Sequence, residues 1–301
     1  MPEQPLHLDQ LVPIPPSKVG LAVLGDPIIH SISPQMHNAA LSELSLHHGR
    51  FAHWKYDKIE VSPQRLSEAL PRLADFGYRG LNLTIPHKVD VLPLLQQTDP
   101  QAALMGAVNT LSWEDGNWKG YNTDGIGLSR AVKEAFGRGL NEYRVMVLGA
   151  GGASRAAVAQ CLLEGCEHLA IYNRSMGRAQ KLIESLNDHG LAQELELLSQ
   201  PCNPFGVRES NILIINATSV GLCLEDPSPL NLSIFPPGTC VYDMVYNPPK
   251  TRLLKQARDL NLSYSNGLGM LIGQAVRSLE IWTGENVSAD AMAEAAHSFK
   301  N

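Results

Sequence analysis

The chain alternates short unbroken apolar runs with longer stretches in which apolar residues return every three or four positions. Val19-Gly-Leu-Ala-Val-Leu24 is a run of the first kind, closed by Gly25-Asp26-Pro27, and it predicts a buried strand followed by a turn. Met36, Ala39, Ala40 and Leu44 then recur at helical spacing. With Ser33 placed to cap and Pro34 suited to a first helical position, a helix is predicted over Pro34 to Leu46. Leu66 to Phe76 reads as another helix, stopped by Gly77, and Gly80-Leu-Asn-Leu-Thr-Ile85 as a strand stopped by Pro86. After Leu111-Ser-Trp113, Asp115-Gly116 marks a hairpin turn, and Gly120 to Gly125 leads into a helix through Phe136.

A second alternation begins at Arg144-Val-Met-Val-Leu148. Strands are predicted at Leu169 to Tyr172, Ile212 to Asn216 and Cys240 to Met244, and helices near Ala156 to Leu163, Gly177 to Leu186 and Lys250 to Asp259. A last helix, Leu268 to Trp282, is apolar over most of its face. Two blocks of this kind predict an α/β protein of two domains, the second a Rossmann-type doubly wound parallel sheet.

At 301 residues the chain is about twice the usual size of one domain, which suits that division. A formal charge of -6 without a basic block lacks the footprint of a nucleic-acid binder. No apolar run approaches the length of about 18 residues that would span a membrane, so a cytoplasmic location is expected. The opening segment, Met1 to Ser17, carries five prolines and is expected to be a mobile arm. Cys161, Cys166, Cys202, Cys223 and Cys240 form no Cys-x-x-Cys pair, and His30, His37 and His87 have no metal-site spacing. Reduced thiols, no metal and histidines that are hydrogen-bonded or exposed are expected.

Val145-Met-Val-Leu-Gly149-Ala150-Gly151-Gly152-Ala153-Ser154-Arg155 places glycines where a strand turns into a helix. Such a turn lets a pyrophosphate approach the free N–H groups at the helix start, and a second strand follows as dinucleotide binding requires. Ser154 stands where the strict pattern wants Gly or Ala. Where an acid would hold the ribose hydroxyls of NAD, the sequence has Asn173-Arg174-Ser175, with Arg178 a turn later. Two cations and a hydroxyl suit the 2′-phosphate of NADP, so NADP is the expected cofactor.

Two further clusters suggest a substrate site. His30-Ser31-Ile32-Ser33-Pro34 puts two hydroxyls just before a helix N-terminus, which suits a carboxylate; capping alone would explain Ser33 but not Ser31. Asn82-Leu-Thr84-Ile-Pro86-His87-Lys88 sets an amide, a hydroxyl and an ammonium at a strand end, and Lys88 is a candidate acid/base for a carbonyl being reduced. Asn109 and Asp124 lie in turns near the domain junction, and Asp124 could orient Lys88.

His30-Ser-Ile-Ser-Pro34, Asn82-Leu-Thr-Ile-Pro-His-Lys88, Gly106-Ala-Val-Asn-Thr110, Asn122-Thr-Asp-Gly125, Gly149-Ala-Gly-Gly-Ala-Ser-Arg155, Asn216-Ala-Thr-Ser-Val-Gly221, Tyr242-Asp-Met-Val-Tyr246 and Asn266-Gly-Leu-Gly-Met270 follow in order. This series closely resembles the shikimate dehydrogenase family over roughly Val19 to Gly284. The resemblance implies NADP-dependent, reversible reduction of 3-dehydroshikimate to shikimate, a step towards chorismate and the aromatic amino acids. It implies Ser31 and Ser33 at the substrate carboxylate, Thr84, Asn109 and Gln274 at the ring hydroxyls, Lys88 and Asp124 as the catalytic pair, and Tyr246 near carboxylate and nicotinamide. Gly149 to Arg155, Asn173, Arg174 and Arg178 would hold NADP, with Thr218, Ser219, Gly267 and Met270 on the nicotinamide side. It also returns the last helix to the first domain, giving 1–122 with 267–301 for substrate and catalysis and 123–266 for NADP.

Two rivals remain at this point. A dual-specificity quinate/shikimate dehydrogenase would accept quinate and often prefer NAD; Ser33 rather than Thr, and Arg174 without an acid, argue against it. A non-catalytic dinucleotide-binding regulator would have no need of Lys88 and Asp124. The expected partner is a small-molecule substrate, and a homodimer is the assembly considered.

Overall fold

A computed structural model describes residues 4–188, 195–206 and 209–298. It divides into two units, Met1–Thr123 with Gln274–Asn301, and Asp124–Gly273.

The first unit contains β1 (Leu6–His7), β2 (Val19–Gly25), α1 (Ser33–His47), β3 (Trp54–Glu60), α2 (Leu66–Asp75), β4 (Tyr78–Leu83), α3 (His87–Asp90), β5 (Gln97–Thr98), α4 (Pro100–Met105), β6 (Thr110–Glu114) and β7 (Asn117–Tyr121). Its sheet runs β1-β3-β2-β4-β6-β7-β5, parallel across the first four strands and antiparallel at β6. β2 and β4 are apolar along nearly their whole length because both faces are covered. On one face Leu66, Ala69, Leu70 and Leu73 of α2 pack against Ala22, Leu24, Ile59, Leu81 and Leu83. Burying each such leucine stabilises the fold by about 1.5–3 kcal/mol before chain entropy is set against it. α1 lies against β3.

The opening segment is not a mobile arm over its described residues. Leu6 and His7 pair in parallel with Ile59 and Glu60, Leu8 and Leu11 are buried, and the Ile14 N–H donates to the Phe76 carbonyl at 2.8 Å. Leu6 and His7 cover the outer edge of β3, while Leu8, Leu11 and Ile14, recurring every third residue, join the core beneath, an anchor that the prolines obscure in the sequence.

The second unit contains α5 (Asp124–Phe136), β8 (Arg144–Leu148), α6 (Gly152–Leu163), β9 (Leu169–Tyr172), α7 (Met176–Asn187), β10 (Leu195–Leu198), β11 (Ile212–Asn216), β12 (Cys240–Asp243), α8 (Arg252–Asp259) and β13 (Ser263–Asn266). α9 (Leu268–Thr283) starts in this unit and ends in the first, which α10 (Asp290–Ser298) completes by packing on α1. The division therefore falls inside α9, seven residues beyond the expected start at 267. All six strands of the second unit are parallel, in the order β10-β9-β8-β11-β12-β13. This is the doubly wound arrangement, in which strand order reverses beside β8 and ligands meet the carboxyl ends of the strands.

Among the described residues no helix is long and apolar enough to cross a membrane. All five cysteines are free.

Candidate active site

In the first unit the site residues stand at the carboxyl ends of β2 and β4. Ser33 is the first residue of α1 rather than its cap: Ile32 occupies the cap position and makes no side-chain cap bond. The Ser33 N–H instead donates to Ser31 Oγ at 3.3 Å, which brings the two serines together at the helix start. This corrects the expected capping role, since the Ser33 side chain makes no cap bond. Thr84 follows β4, its N–H bonded to the Leu24 carbonyl at 3.0 Å. Lys88, half-buried in α3, accepts the Val108 N–H on its own carbonyl at 2.8 Å, so the short helix is tied to the turn that carries Asn109.

Asn109 lies in a buried polar network. Its Nδ2 donates to Thr123 Oγ1 at 3.0 Å and to Gln274 Oε1 at 3.4 Å, and its Oδ1 accepts the Thr123 N–H at 2.8 Å. Asn82 Nδ2 donates to the Asn109 carbonyl at 3.1 Å, to Thr110 Oγ1 at 3.0 Å and to Ser278 Oγ at 3.0 Å. Ser278 Oγ donates in turn to the Gln274 carbonyl at 2.9 Å. Asn82 enters the sequence reading only as the amide of the Asn82–Lys88 cluster, and Thr123 and Ser278 are not singled out there as site residues. The i, i+4 spacing of Gln274 and Ser278 is the signal that would have found the last of them.

The histidines depart from expectation in part. His30 is exposed, and His87 bonds the Val61 carbonyl through Nε2 at 2.8 Å, burial holding its ring below the ordinary histidine range. His37 is neither exposed nor hydrogen-bonded: it is fully buried with neither ring nitrogen partnered, and burial drives its pKa down to about 3. The Asn82 side chain is near enough to oppose that shift but not aligned for a hydrogen bond.

In the second unit the turn from β8 to α6 has the form a pyrophosphate requires. Gly149 has φ +115°, and a Cβ there would lie 2.6 Å from Ser154 Oγ and 2.9 Å from the Ala217 carbonyl oxygen. At Gly151 a Cβ would meet nothing within 4 Å, so the mouth of the turn is open where Ala150, Gly152 and Ala153 present backbone. Ser154 is fully buried and its hydroxyl donates to the Ala217 carbonyl at 3.2 Å; its side chain fastens α6 to the loop after β11 and does not face a ligand. Past β9, Asn173 Nδ2 donates to the Ser175 carbonyl at 2.7 Å. Arg174, Ser175 and Arg178 are exposed, and Ser175 stands at the cap of α7 without a side-chain cap bond. Open glycine backbone, two exposed guanidinium groups and an uncommitted hydroxyl fit a dinucleotide with an extra phosphate.

Two further loops are fixed by one buried acid. Asp243, at the end of β12, accepts from Asn216 Nδ2 at 2.9 Å, Thr251 Oγ1 at 2.6 Å and the Val245 N–H at 3.1 Å, while burial pushes its carboxyl above the usual range. Asn216 Oδ1 in turn accepts the Thr218 hydroxyl at 2.7 Å, which shapes the turn leading to Ser219. Tyr246 follows on the Val245 side, its phenol pushed up by burial. A Cβ on Gly267 would lie 2.0 Å from the Met244 carbonyl oxygen, so the entry to α9 admits only glycine. Three residues on, the Met270 N–H donates to the Tyr242 hydroxyl at 3.1 Å. Asp124 opens α5, buried, directly after Thr123. Among the described residues no group of three or more His, Cys, Asp or Glu could hold a metal ion.

Comparison with known proteins gives three family matches along the chain. Residues 23–111 match the shikimate dehydrogenase substrate binding domain, 130–223 the shikimate / quinate 5-dehydrogenase model and 267–297 the shikimate 5′-dehydrogenase C-terminal domain. A shikimate dehydrogenase (NADP(+)) of Citrifermentans bemidjiense is 42% identical over 264 residues, covering 87% of this chain and 89% of that protein. The crystal structure of shikimate 5-dehydrogenase from Thermus thermophilus in complex with NADP(H) and shikimate aligns with a TM-score of 0.80 at 35% identity, covering 93% of this chain and 99% of that one. A 5-ketofructose reductase of a Gluconobacter species aligns with a TM-score of 0.80 at 30% identity, covering 94% and 99%.

Proposed function

The chain belongs to the shikimate dehydrogenase family, and we propose on that footing that its two units divide the work as substrate unit and NADP unit. It is an NADP-dependent oxidoreductase that interconverts 3-dehydroshikimate and shikimate, the step of aromatic biosynthesis its relatives are named for.

Bound NADPH supplies the hydride for the ketone carbon. The rest falls to the protein. Lys88 donates a proton to the oxygen that becomes the alcohol, and Asp124 acts with it as the second member of the catalytic pair. Ser31 and Ser33, at the start of α1, hold the substrate carboxylate, and Tyr246 serves near the carboxylate and the nicotinamide. Thr84, Asn109 and Gln274 hold the ring hydroxyls. The observation that most supports this arrangement is the 3.4 Å bond between Asn109 and Gln274 inside one buried network, since two amides fixed against each other present donors and acceptors in a set geometry. Gly149 to Ala153 cradle the pyrophosphate, and Asn173, Arg174, Ser175 and Arg178 take the 2′-phosphate. Thr218, Ser219, Gly267 and Met270 line the nicotinamide side.

A cytoplasmic location accords with five free cysteines. A homodimer is the assembly to test, by sedimentation of the purified protein. The activity is tested by following the absorbance of reduced nicotinamide with shikimate or quinate, each with NADP or NAD. Turnover of shikimate with NADP is expected. Equal rates with quinate or NAD would move the protein to the dual-specificity branch, and none with any pair would overturn the reading.

A further inference from the structure

We propose that Asp243 is a positioning residue for the nicotinamide end of NADP, its one carboxylate holding the loops after β11 and β12 and the entry to α9 in a single arrangement. The inference rests on the reading given above, in which Thr218, Ser219 and Gly267 lie on the nicotinamide side.

Asp243 is fully buried at the end of β12, directly opposite Asn216 at the end of β11. Keeping a carboxylate out of water is costly, and burial does raise its pKa. Joining the two strand ends does not require it, because the Met244 N–H already donates to the Asn216 carbonyl at 2.9 Å. What the carboxylate adds is a fixed orientation for the groups beyond the strands.

Its Oδ1 faces two N–H groups, the Asn216 side-chain amide at 2.9 Å and the Val245 backbone at 3.1 Å. A carboxylate oxygen takes only donors, so the Asn216 amide must turn its nitrogen towards Asp243 and its oxygen away. That oxygen accepts the Thr218 N–H at 3.2 Å and the Thr218 hydroxyl at 2.7 Å, and Thr218 Oγ1 accepts the Val220 N–H at 3.1 Å. With the amide reversed, an NH2 group would face two donors and the turn through Ser219 would lose its ties. On a second branch Val245, held by its N–H, accepts the Gly267 N–H on its own carbonyl at 3.3 Å. On a third, Oδ2 accepts the Thr251 hydroxyl at 2.6 Å, and the Thr251 methyl lies 2.9 Å from where a Cβ on Gly221 would stand, so the far end of the Thr218 loop packs on it. All three donors thus belong to, or pack on, the loops proposed to flank one ring. None leads to the adenosine end: Arg174 follows β9, three strand spacings or about 14 Å from β12.

Asp243→Asn keeps the shape of the side chain and places an NH2 group among these donors. We expect Kd for NADP to rise about tenfold and kcat with shikimate to fall by a similar factor. Kd for adenosine 2′,5′-bisphosphate, which carries only the end assigned to Arg174, should stay within about twofold. A lower Tm with NADP affinity and kcat unchanged would make Asp243 a staple of the fold alone, and equal weakening of NADP and the bisphosphate would mean general loosening; either result overturns the proposal. If Asp243→Asn is recovered unfolded, two variants of its partner serve: Thr251→Val removes the bond to Oδ2, and Thr251→Ser keeps it while dropping the methyl. The valine variant should separate NADP from the bisphosphate and the serine variant should not, so equal behaviour of the two overturns the proposal as well. Failure of the unaltered protein to bind NADP would remove the functional reading itself, whereas tight NADP binding and full turnover by both the unaltered protein and Asp243→Asn removes the Asp243 inference alone.

Discussion

At His37 a titratable ring has been taken wholly out of water with neither nitrogen partnered, and its pKa of about 3 lies below the ordinary value of 6.5. Above pH 6.5 the ring is neutral in both folded and unfolded chains and gives stability no slope. As pH falls from there towards 3, the unfolded chain takes up a proton that the folded one refuses, so stability declines by up to about 1.4 kcal/mol per pH unit. His37→Phe keeps an aromatic ring against Tyr56 and removes two orphaned nitrogens. It should raise stability by about 1–2 kcal/mol at neutral pH and flatten the acid side of the Tm–pH curve, as calorimetry between pH 4 and 8 would read. A steeper acid limb in the variant would contradict the assignment. Lys88 makes the opposite kind of prediction, since its proposed work is chemical. Lys88→Ala should lower kcat by about a hundredfold to ten-thousandfold with a smaller change in KM for shikimate, and a raised KM with unchanged kcat in steady-state assays would move Lys88 from chemistry to binding.

Among the elements, the turns at the carboxyl ends of the strands carry the tightest steric demands. With a Cβ at 2.0 Å from the Met244 carbonyl oxygen, Gly267→Ala must displace either the loop after β12 or the start of α9, at a cost of about 3 kcal/mol or more. Gly151→Ala meets no atom within 4 Å, so its Tm should stay near that of the unaltered protein while KM for NADP rises as the methyl group fills the mouth of the turn. Thermal unfolding and NADP titration of the two variants separate these outcomes. The glycines of β8–α6, the apolar runs of β2, β4, β8 and β11, and the spacing of α1, α2 and α9 were all legible in the sequence. β3 was not, because Lys55, Asp57, Lys58 and Glu60 interrupt its apolar positions, yet Tyr56 and Lys58 are buried. The network around Asn82 was hidden for a related reason: each member is an ordinary polar residue in sequence, and only the pairing of β4 with β6 and the passage of α9 bring them together. β1 was concealed by the prolines that follow it. Removing the first 17 residues should therefore destabilise the protein by about 3–5 kcal/mol through loss of Leu8 and Leu11 from the core, measurable as a lower urea midpoint.

On the scale of the whole molecule, the two units differ in how they use the chain. The second is one uninterrupted stretch, whereas the first is closed only by residues from Gln274 onward. Trp282 fills the space above Gly80 and donates its indole N–H to the Leu111 carbonyl at 2.9 Å, and Met292 and Ala296 are buried. Order of manufacture thus runs against order of completion. On the ribosome the opening two-fifths must wait, its apolar surface uncovered, while the next 150 residues are made, roughly eight to thirty seconds at about 5–20 residues per second. Nascent chains stalled with residue 273 clear of the exit tunnel should hold a protease-resistant second unit and a cleavable first one. Chains long enough to release α10 should resist cleavage throughout. The same delay makes the opening two-fifths the part of the protein most in need of a holding chaperone, and makes the closing helices the step at which a newly made chain leaves that care.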